Sequence, residues 1–399
     1  MQFGFLENHS TSMALSLLID RISQSMDTGK VSVGIFLDFS KAFDTVDHTI
    51  LFSKLERYGI RGLALHWLKS YLCNREQFVY YDDVESKRCL NKCGVPQGSI
   101  LGPLLFLLYI NDISNISQSF FMILYADDTN VFFSGDNLTD LIQQINSDLE
   151  KILLWLRANK LSLNIKKTHC MIFSNRTFTY NNDIKIDNEI VENVESTKFL
   201  GVILDNKLCW KKHILYVRGK IARSVGIICK SRKIFNQDTL KDLYYSFVYP
   251  HLCYCIEIWG SAHKTHIDRL FKLQKKCVRI ICKAKWNSPS SPLFSELELL
   301  TLENIHSYRV IIFCYKLVNK NLPDVFDDFC YLNSNVHSYE TRSRNLFRAP
   351  QVRTDLRART LRILTVKYFN HYSEKNDFTL TFYKFKKNVL NYLRQIQCS

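Results

Sequence analysis

No apolar stretch in these 399 residues is long enough to span a bilayer: the longest run, residues 100–110, is roughly half of what a transmembrane helix needs. The first residues, MQFGFLENHSTS, contain neither the basic start nor the apolar core of a secretory leader. A soluble intracellular protein is the expectation. The phosphate-cradling loop GxxxxGK does not occur. Neither do repeats or low-complexity tracts. None of the thirteen cysteines has CxxC spacing, and no His follows a Cys pair at zinc-finger distance. Reduced thiols serving as small hydrophobes account for them.

Acids are scarce in one region. Residues 206–285 hold four, Asp238, Asp242, Glu257 and Asp268, against 18 Lys and Arg, which is nearly the whole of the net charge of +15. Such a focused basic region suggests a polyanion, nucleic acid first; a solvated helix face is the plainer alternative. What is present is globular in character, with 27 Phe and 20 Tyr. The length implies two or three subdomains.

Periodicity predicts a helix over 13–26, ended by Asp27-Thr28-Gly29. A buried strand follows over 31–39, then helices over 44–58 and 64–72. Residues 77–81 and 86–92 read as a hairpin around Asp82-Asp83. An apolar helix spans 99–113 after the turn Pro96-Gln97-Gly98, and a hairpin spans 120–134 with two aspartates at its bend. An amphipathic helix runs from Leu138 to Leu153. Strands are expected over 168–174, 184–194 and 197–204. From Lys211 the pattern is helical and basic. In a helix over 263–283, Ile267, Leu270, Phe271, Val278 and Ile281 form the apolar face; Lys272, Lys275, Lys276, Arg279 and Lys283 stack on another. Residues 286–399 are less readable. Strands first and basic helices after suggest an α+β domain with a helical appendage.

Three aspartates close apolar strands: Asp38 ends VSVGIFLD, and Asp127 and Asp128 end FFMILYADD. A carboxylate in such a place loses hydration, and two together repel unless a cation sits between them. Hard divalent ions bind carboxylate oxygen, and paired ions serve in-line phosphoryl displacement. The alternative, a polar hairpin turn, explains Asp127-Asp128 alone but not Asp38 on a similar strand.

Five segments, FLDFSKAFD (36–44), GVPQGSILGPL (94–104), LYADD (124–128), LSLNIKKT (161–168) and KFLGV (198–202), together resemble the ordered motifs of reverse transcriptases. The wording is most similar to non-LTR, LINE-type retrotransposons of the Jockey-like group, over roughly residues 1–285. The resemblance implies a right-hand polymerase: an α+β palm of antiparallel sheet packed on helices, with partial fingers and an all-helical thumb. Residues 1–30 would be partial fingers, 31–205 the palm with a finger segment at about 73–97, 206–285 the thumb, and 286–399 a region of unknown role.

The resemblance also implies roles. Asp38, Asp127 and Asp128, with the carbonyl of Phe39, would hold two divalent ions, Mg2+ first. Lys167 would protonate the leaving pyrophosphate, with Lys166 or a solvated lysine pair as alternatives. Phe43 would gate the sugar against a 2′-hydroxyl, unless it is a core Phe. Gln97 would sit near the incoming nucleotide, with Gly98 letting the backbone approach. Phe199, Leu200 and Gly201 would form the primer grip, or simply a tight turn. The basic helix carrying Lys272, Lys275, Lys276, Arg279 and Lys283 would follow duplex phosphates. The implied partners are an RNA template with a DNA primer, and dNTPs; no membrane and no protein partner can be inferred. The family's use of chromosomal DNA implies the nucleus.

The sequence departs from the family pattern at Leu6, where a basic residue is usual, and at Asn8, where Gly is common. Upstream finger motifs and the family's endonuclease are not in the chain; nor is a CCHC motif or an RNase H carboxylate set. TRSR at 341–344 resembles a common tail of these elements. Two readings follow: an N-terminally truncated but active RNA-directed DNA polymerase, or a catalytically impaired nucleic-acid-binding remnant of one. Group II intron and telomerase enzymes rank behind both.

Overall fold

The computed structural model describes residues 1–176, 183–335, 343–373 and 377–397. The chain forms two compact units, residues 1–7 with 29–195, and residues 8–28 with 196–399.

In the first unit the strand Val31–Leu37 (β1) is buried at all seven positions. A strand covered on both faces belongs in the middle of a sheet. Around it lie Phe121–Tyr125 (β2), Asp128–Gly135 (β3), His169–Phe173 (β4) and Glu192–Asn193 (β5), in the order β5-β4-β1-β3-β2. β1 runs antiparallel to β3 and β4, and only the short edge strand β5 is parallel to its neighbour. The helix Leu138–Ala158 turns Leu141, Ile142, Ile145, Leu149 and Ile152 inward, and the Asn137 side chain caps it by accepting from Thr139 N at 2.9 Å. The helix Leu101–Ile110 is apolar on nearly every side, so it lies within the core rather than on the surface. Against it packs His48–Arg57, whose Lys54 Nζ donates to Tyr109 O and Asp112 Oδ1, both at 2.6 Å. Sheet and helices share one hydrophobic core, the α+β arrangement expected.

Several boundaries differ from expectation. The helix expected over 44–58 starts at His48, because Asp47 caps it by accepting from Ile50 N at 3.0 Å. Ahead of it, Ala42–Asp44 forms a single 3-10 turn. The strand expected over 184–194 is broken by a turn at Asp187-Asn188, both with positive φ, into pairs of residues. The hairpin near Asp82-Asp83 exists, but as two-residue ladders, 80–81 with 84–85 and 76–77 with 89–90.

In the second unit, the hairpin Ser196–Phe199 and Val202–Asp205 leads into helices Lys211–Ser231, Gln237–Phe247 and Lys264–Ile281. Residues 286–399, which show no clear pattern in the sequence, contain the helices Leu302–Val318, Leu361–Tyr372 and Phe382–Ile396. The helix Thr11–Asp27 belongs to this same unit. A buried ion network attaches it there. Asp20, 5% exposed, accepts from Arg357 Nη1 at 2.5 Å and from Arg362 Nη1 at 3.0 Å. Arg357, 6% exposed, also donates to Asp20 O and Ser23 Oγ. Asp27 accepts from the backbone N–H groups of Arg353 and Thr354. Thr341 and Arg342 of the TRSR segment lie outside the described residues.

Every described cysteine is a free thiol. Burial pushes the thiols of Cys170, Cys255 and Cys277 up to about 12, so they stay protonated and inert, as the packing role requires. Among the described residues no helix is long and apolar enough to cross a membrane. The buried network makes a stability prediction. Arg357→Met removes one of two cations from a buried carboxylate and should destabilise the chain by about 3 kcal/mol in urea unfolding. A loss under about 1 kcal/mol would mean that the network does not hold Thr11–Asp27 in place.

Candidate active site

The strand pairing itself assembles the carboxylates. In the β1–β3 register Leu37 stands opposite Thr129, so one step further Asp38 faces Asp128. In the β1–β4 register Phe36 stands opposite His169, so two steps further Lys167 flanks Asp38 from the other side. The distances agree: Lys167 Nζ is 3.9 Å from Asp38 Oδ2. Of the adjacent lysines it is therefore Lys167, not Lys166, that faces the carboxylate.

The position of Asp38 is secured by its backbone. Asp38 N donates to Thr168 Oγ1 at 3.3 Å, and its carbonyl accepts from Asn164 N at 2.8 Å. Ser40 N donates to Ser162 O, completing a bridge between Phe39 and Leu163. That bridge uses the carbonyls of Asp38 and Ser162 and leaves the Phe39 carbonyl out of the pairing. The segment LSLN at 161–164 is thus a second rail along the strand end.

Asp127 sits in a two-residue loop between β2 and β3, with Tyr125 opposite Asp128. Ala126, the first loop residue, has φ of 56°, and Asp127 does not share the positive sign. This is the type II′ pattern, normally occupied by Gly, so Ala there is strained. Residues at the start of the chain hold the loop. Gln2 Oε1 accepts from Ala126 N at 3.1 Å, and also from Phe3 N and Gly4 N. Phe3 N donates to Leu124 O at 2.8 Å. A Cβ on Gly4 would fall 2.4 Å from Ala126 N, so only Gly allows so close an approach.

The Asp128 carboxyl is pushed above its ordinary range, first by lost hydration, then by the charges of Asp127 and Asp38. Its surface area is nevertheless exposed. Asp128 therefore senses both neighbouring carboxylates. Among the described residues no three His, Cys, Asp or Glu side chains converge into a ready-made cage. Mg2+ does not need one, because it usually takes one or two carboxylates and completes its shell with water and substrate phosphate. Neighbouring carboxylates that repel, with the Phe39 carbonyl outside the bridge beside them, fit such an ion.

The segments that carry the expected nucleotide residues are bonded to one another. Gln97 Nε2 donates to Asp44 Oδ1 at 2.9 Å. Val95 N donates to Phe43 O, and His48 Nε2 lies 2.8 Å from Gly94 O. These bonds lay the loop 94–99 along 43–48. Phe43 is half-buried, with its ring 4.4 Å from that of Phe106; the core role and the exposed edge coexist. At Gly98 no protein atom lies within 4 Å of its would-be Cβ, and its φ of 82° favours Gly there. Asp44, Thr168, Asn164 and Gln2 escaped the sequence reading. Asp44 and Gln2 lie in or beside motif segments, but a polar side chain bonded to a backbone across the fold leaves no periodic signal.

Phe199, Leu200 and Gly201 lie in the second unit. Leu200 and Gly201 have φ of 44° and 78° and form a two-residue hairpin loop between Phe199 and Val202, a type I′ pattern. Tyr254 OH donates to Leu200 O at 2.8 Å. On the basic helix Lys264–Ile281, Lys272 and Lys276 are exposed, as is Lys283 just beyond it. Two further cations of this set also make contacts within the unit. Arg279 Nε donates to Ser288 O at 2.8 Å, and Lys275 Nζ lies 4.1 Å from the centre of the Phe271 ring.

The family described as reverse transcriptase (RNA-dependent DNA polymerase) matches residues 1–204. The RNA-directed DNA polymerase from mobile element jockey of Drosophila melanogaster is 29% identical over 296 residues, 71% of this chain and 32% of that protein. The probable RNA-directed DNA polymerase from transposon X-element of the same fly is 29% identical over 319 residues, 77% of this chain and 35% of that protein. The chain thus spans about a third of the length of the curated relatives it matches. Among solved structures, telomerase from Candida albicans in complex with a fragment of telomeric RNA superposes with a TM-score of 0.40 at 13% identity, covering 74% of this chain and 56% of that one.

The loop clamp is open to test without any assay of function. Gly4→Ala should destabilise the chain by about 1–3 kcal/mol in urea unfolding, because the added methyl must displace the backbone at Ala126. A change within about 0.5 kcal/mol would show that residues 1–4 do not brace the loop.

Proposed function

Because the chain belongs to the reverse transcriptase family, we propose that it is the RNA-directed DNA polymerase of a Jockey-like, non-LTR retrotransposon. It extends the 3′-hydroxyl of a DNA primer with dNTPs along an RNA template. The observation that carries this reading is the alignment of Asp38 with Asp128 on one flank and Lys167 on the other. Members of the family use divalent metal; Asp38, Asp127, Asp128 and the Phe39 carbonyl are the groups here that would hold two such ions, Mg2+ first. When bound, the ions supply a lowered pKa for the attacking hydroxyl and offset the triphosphate charge.

The chain's own residues do the remaining work. As the primer oxygen bonds to the α-phosphorus, its hydroxyl proton passes to solvent, the bond to pyrophosphate breaks, and Lys167 gives the leaving group a proton. The Phe43 ring, braced by Phe106, lies under the sugar and excludes a 2′-hydroxyl. Gln97, oriented by Asp44, contacts the incoming nucleotide beside the open backbone of Gly98. Residues 199–201 hold the primer, and Lys272, Lys276 and Lys283 contact duplex phosphates, which positions the strands without reading sequence. In this scheme residues 31–205 are the palm, with about 73–97 a finger segment, and 206–285 are the thumb. The work of such an element takes place at chromosomal DNA, so the nucleus is its place of action.

Leu6, 40% exposed where the family usually has a basic residue, favours a second reading: a protein that binds nucleic acid but polymerises poorly. Primer extension on an RNA template with Mg2+ separates the two. Incorporation of dNTPs supports polymerisation, and duplex binding without incorporation supports the second reading. Asp127→Asn should lower incorporation by on the order of a hundredfold or more while duplex affinity holds; survival of extension would refute the metal-ligand assignment. Lys272→Glu with Lys276→Glu should weaken duplex binding and flatten its logarithmic salt dependence by about 2, near 0.9 per phosphate contact. An unchanged slope would make that face merely solvated.

A further inference from the structure

A cavity of about 230 Å3 in the second unit lies beside the first turn of the helix Thr11–Asp27. Polymerisation gives it no role. Thr11, Ser12, Glu257, Arg309 and Lys316 supply its polar wall, and Ile312 and Phe313 part of its apolar one. Glu257, on the short helix Ile256–Trp259, is only 5% exposed. Its Oε2 makes no hydrogen bond. Arg309 Nε stands 3.6 Å away, which balances charge but is beyond hydrogen-bond distance. A buried carboxylate oxygen in that condition calls for a donor.

Positive charge is in excess around it. Arg309 and Lys316 enter the wall from the helix Leu302–Val318. Among the described residues Glu257 is the one carboxylate partner of Arg309, and Lys316 has none. Burial, and then the charge of Arg309, pushes Lys316 below its ordinary value. The helix Thr11–Asp27 has no acid in its first turn, where partial positive charge collects. Its cap, Ser10 Oγ, accepts from Met13 N at 3.4 Å, which leaves the N–H groups of Thr11 and Ser12 to an outside acceptor. The cavity thus suits an anion and a hydrogen-bond donor side by side. A phosphodiester brings acceptors only, and would set further negative charge beside an unmet Glu257. The end of a polypeptide brings both groups: a carboxylate and, next to it, the N–H of the last peptide unit.

We propose that this cavity captures the C-terminus of a partner protein whose last residue is apolar. The carboxylate meets Arg309, Lys316 and the N–H groups of Thr11 and Ser12. The last amide N–H donates to Glu257 Oε2, and the last side chain lies against Ile312 and Phe313. The site is independent of the polymerase reading, since neither nucleotide nor nucleic acid takes part in it.

The test uses the full chain and a short fluorescein-labelled peptide ending in leucine, read by anisotropy without nucleic acid. Two altered peptides are compared with it. One carries a C-terminal amide in place of the carboxylate, and the other is methylated on its last amide nitrogen. Each should bind about tenfold more weakly, the scale of one hydrogen bond to a charged group. Lys316→Gln, at a half-buried position, should weaken the unmodified peptide about tenfold and remove most of the difference between carboxylate and amide. An unchanged melting temperature verifies the fold of that variant; if it falls, the two comparisons on the wild type still decide. Equal affinity of the wild type for the carboxylate and amide peptides would overturn the proposal. So would indifference to methylation, which would leave Glu257 without its donor. If a short single-stranded oligonucleotide binds and loses affinity in Lys316→Gln while the peptide does not bind, the occupant is a phosphate and the proposal falls.

Discussion

The antiparallel register of β1 against β3 is the constraint on which the site depends. Leu37 opposite Thr129 brings Asp38 level with Asp128, and a slip of one residue would turn one of these strands over. The register is held by burial rather than by the aspartates. All seven residues of β1 are buried, and Val131 and Phe133 of β3 are buried with them. Apolar packing thus sets like charges side by side, at a place where they repel one another unless a cation intervenes. The same packing aligns β4, which delivers Lys167 to the other flank of Asp38.

Around this fixed point the remaining contacts add restraint. The strained loop at Ala126 is held by Gln2, and the bridge between Phe39 and Leu163 steadies the segment after β1. Asp44 orients Gln97, and Phe106 supports Phe43. These supports come from segments far apart in the chain. They let polar groups occupy defined positions at the sheet end without being buried there, which would demand complete pairing.

In the second unit charge is handled in two ways. Asp20 is paired by Arg357 and Arg362, which ties Thr11–Asp27 to residues 353–362. On the helix Lys264–Ile281, Lys272 and Lys276 are exposed, and neither has a carboxylate partner among the described residues. The first arrangement serves the fold. The second leaves positive charge to be met by an anion from outside.

The elements with strong periodicity were legible in the sequence: the seven-residue core strand, the hairpin 121–135 and the amphipathic helix Leu138–Ala158 match the pattern that predicts them. So was the chemistry of the strand-end aspartates, because charge next to an apolar run is visible without a fold. The start of the second helix at His48 was not, since a single Asp47 cap decides it. Neither were Gln2, Asp44 and Thr168, whose roles arise from bonds spanning 124, 53 and 130 residues. The helices after residue 286 were hidden because their burial is mutual: Leu302–Val318 is apolar on several faces and shows no stripe. The sequence alone determined which residue types the site contains and which strands end on them, because hydrophobic patterning is local. Only the tertiary structure decided which lysine meets Asp38, what holds the Ala126 loop, and which cations remain unpaired, because those depend on side chains meeting across the fold.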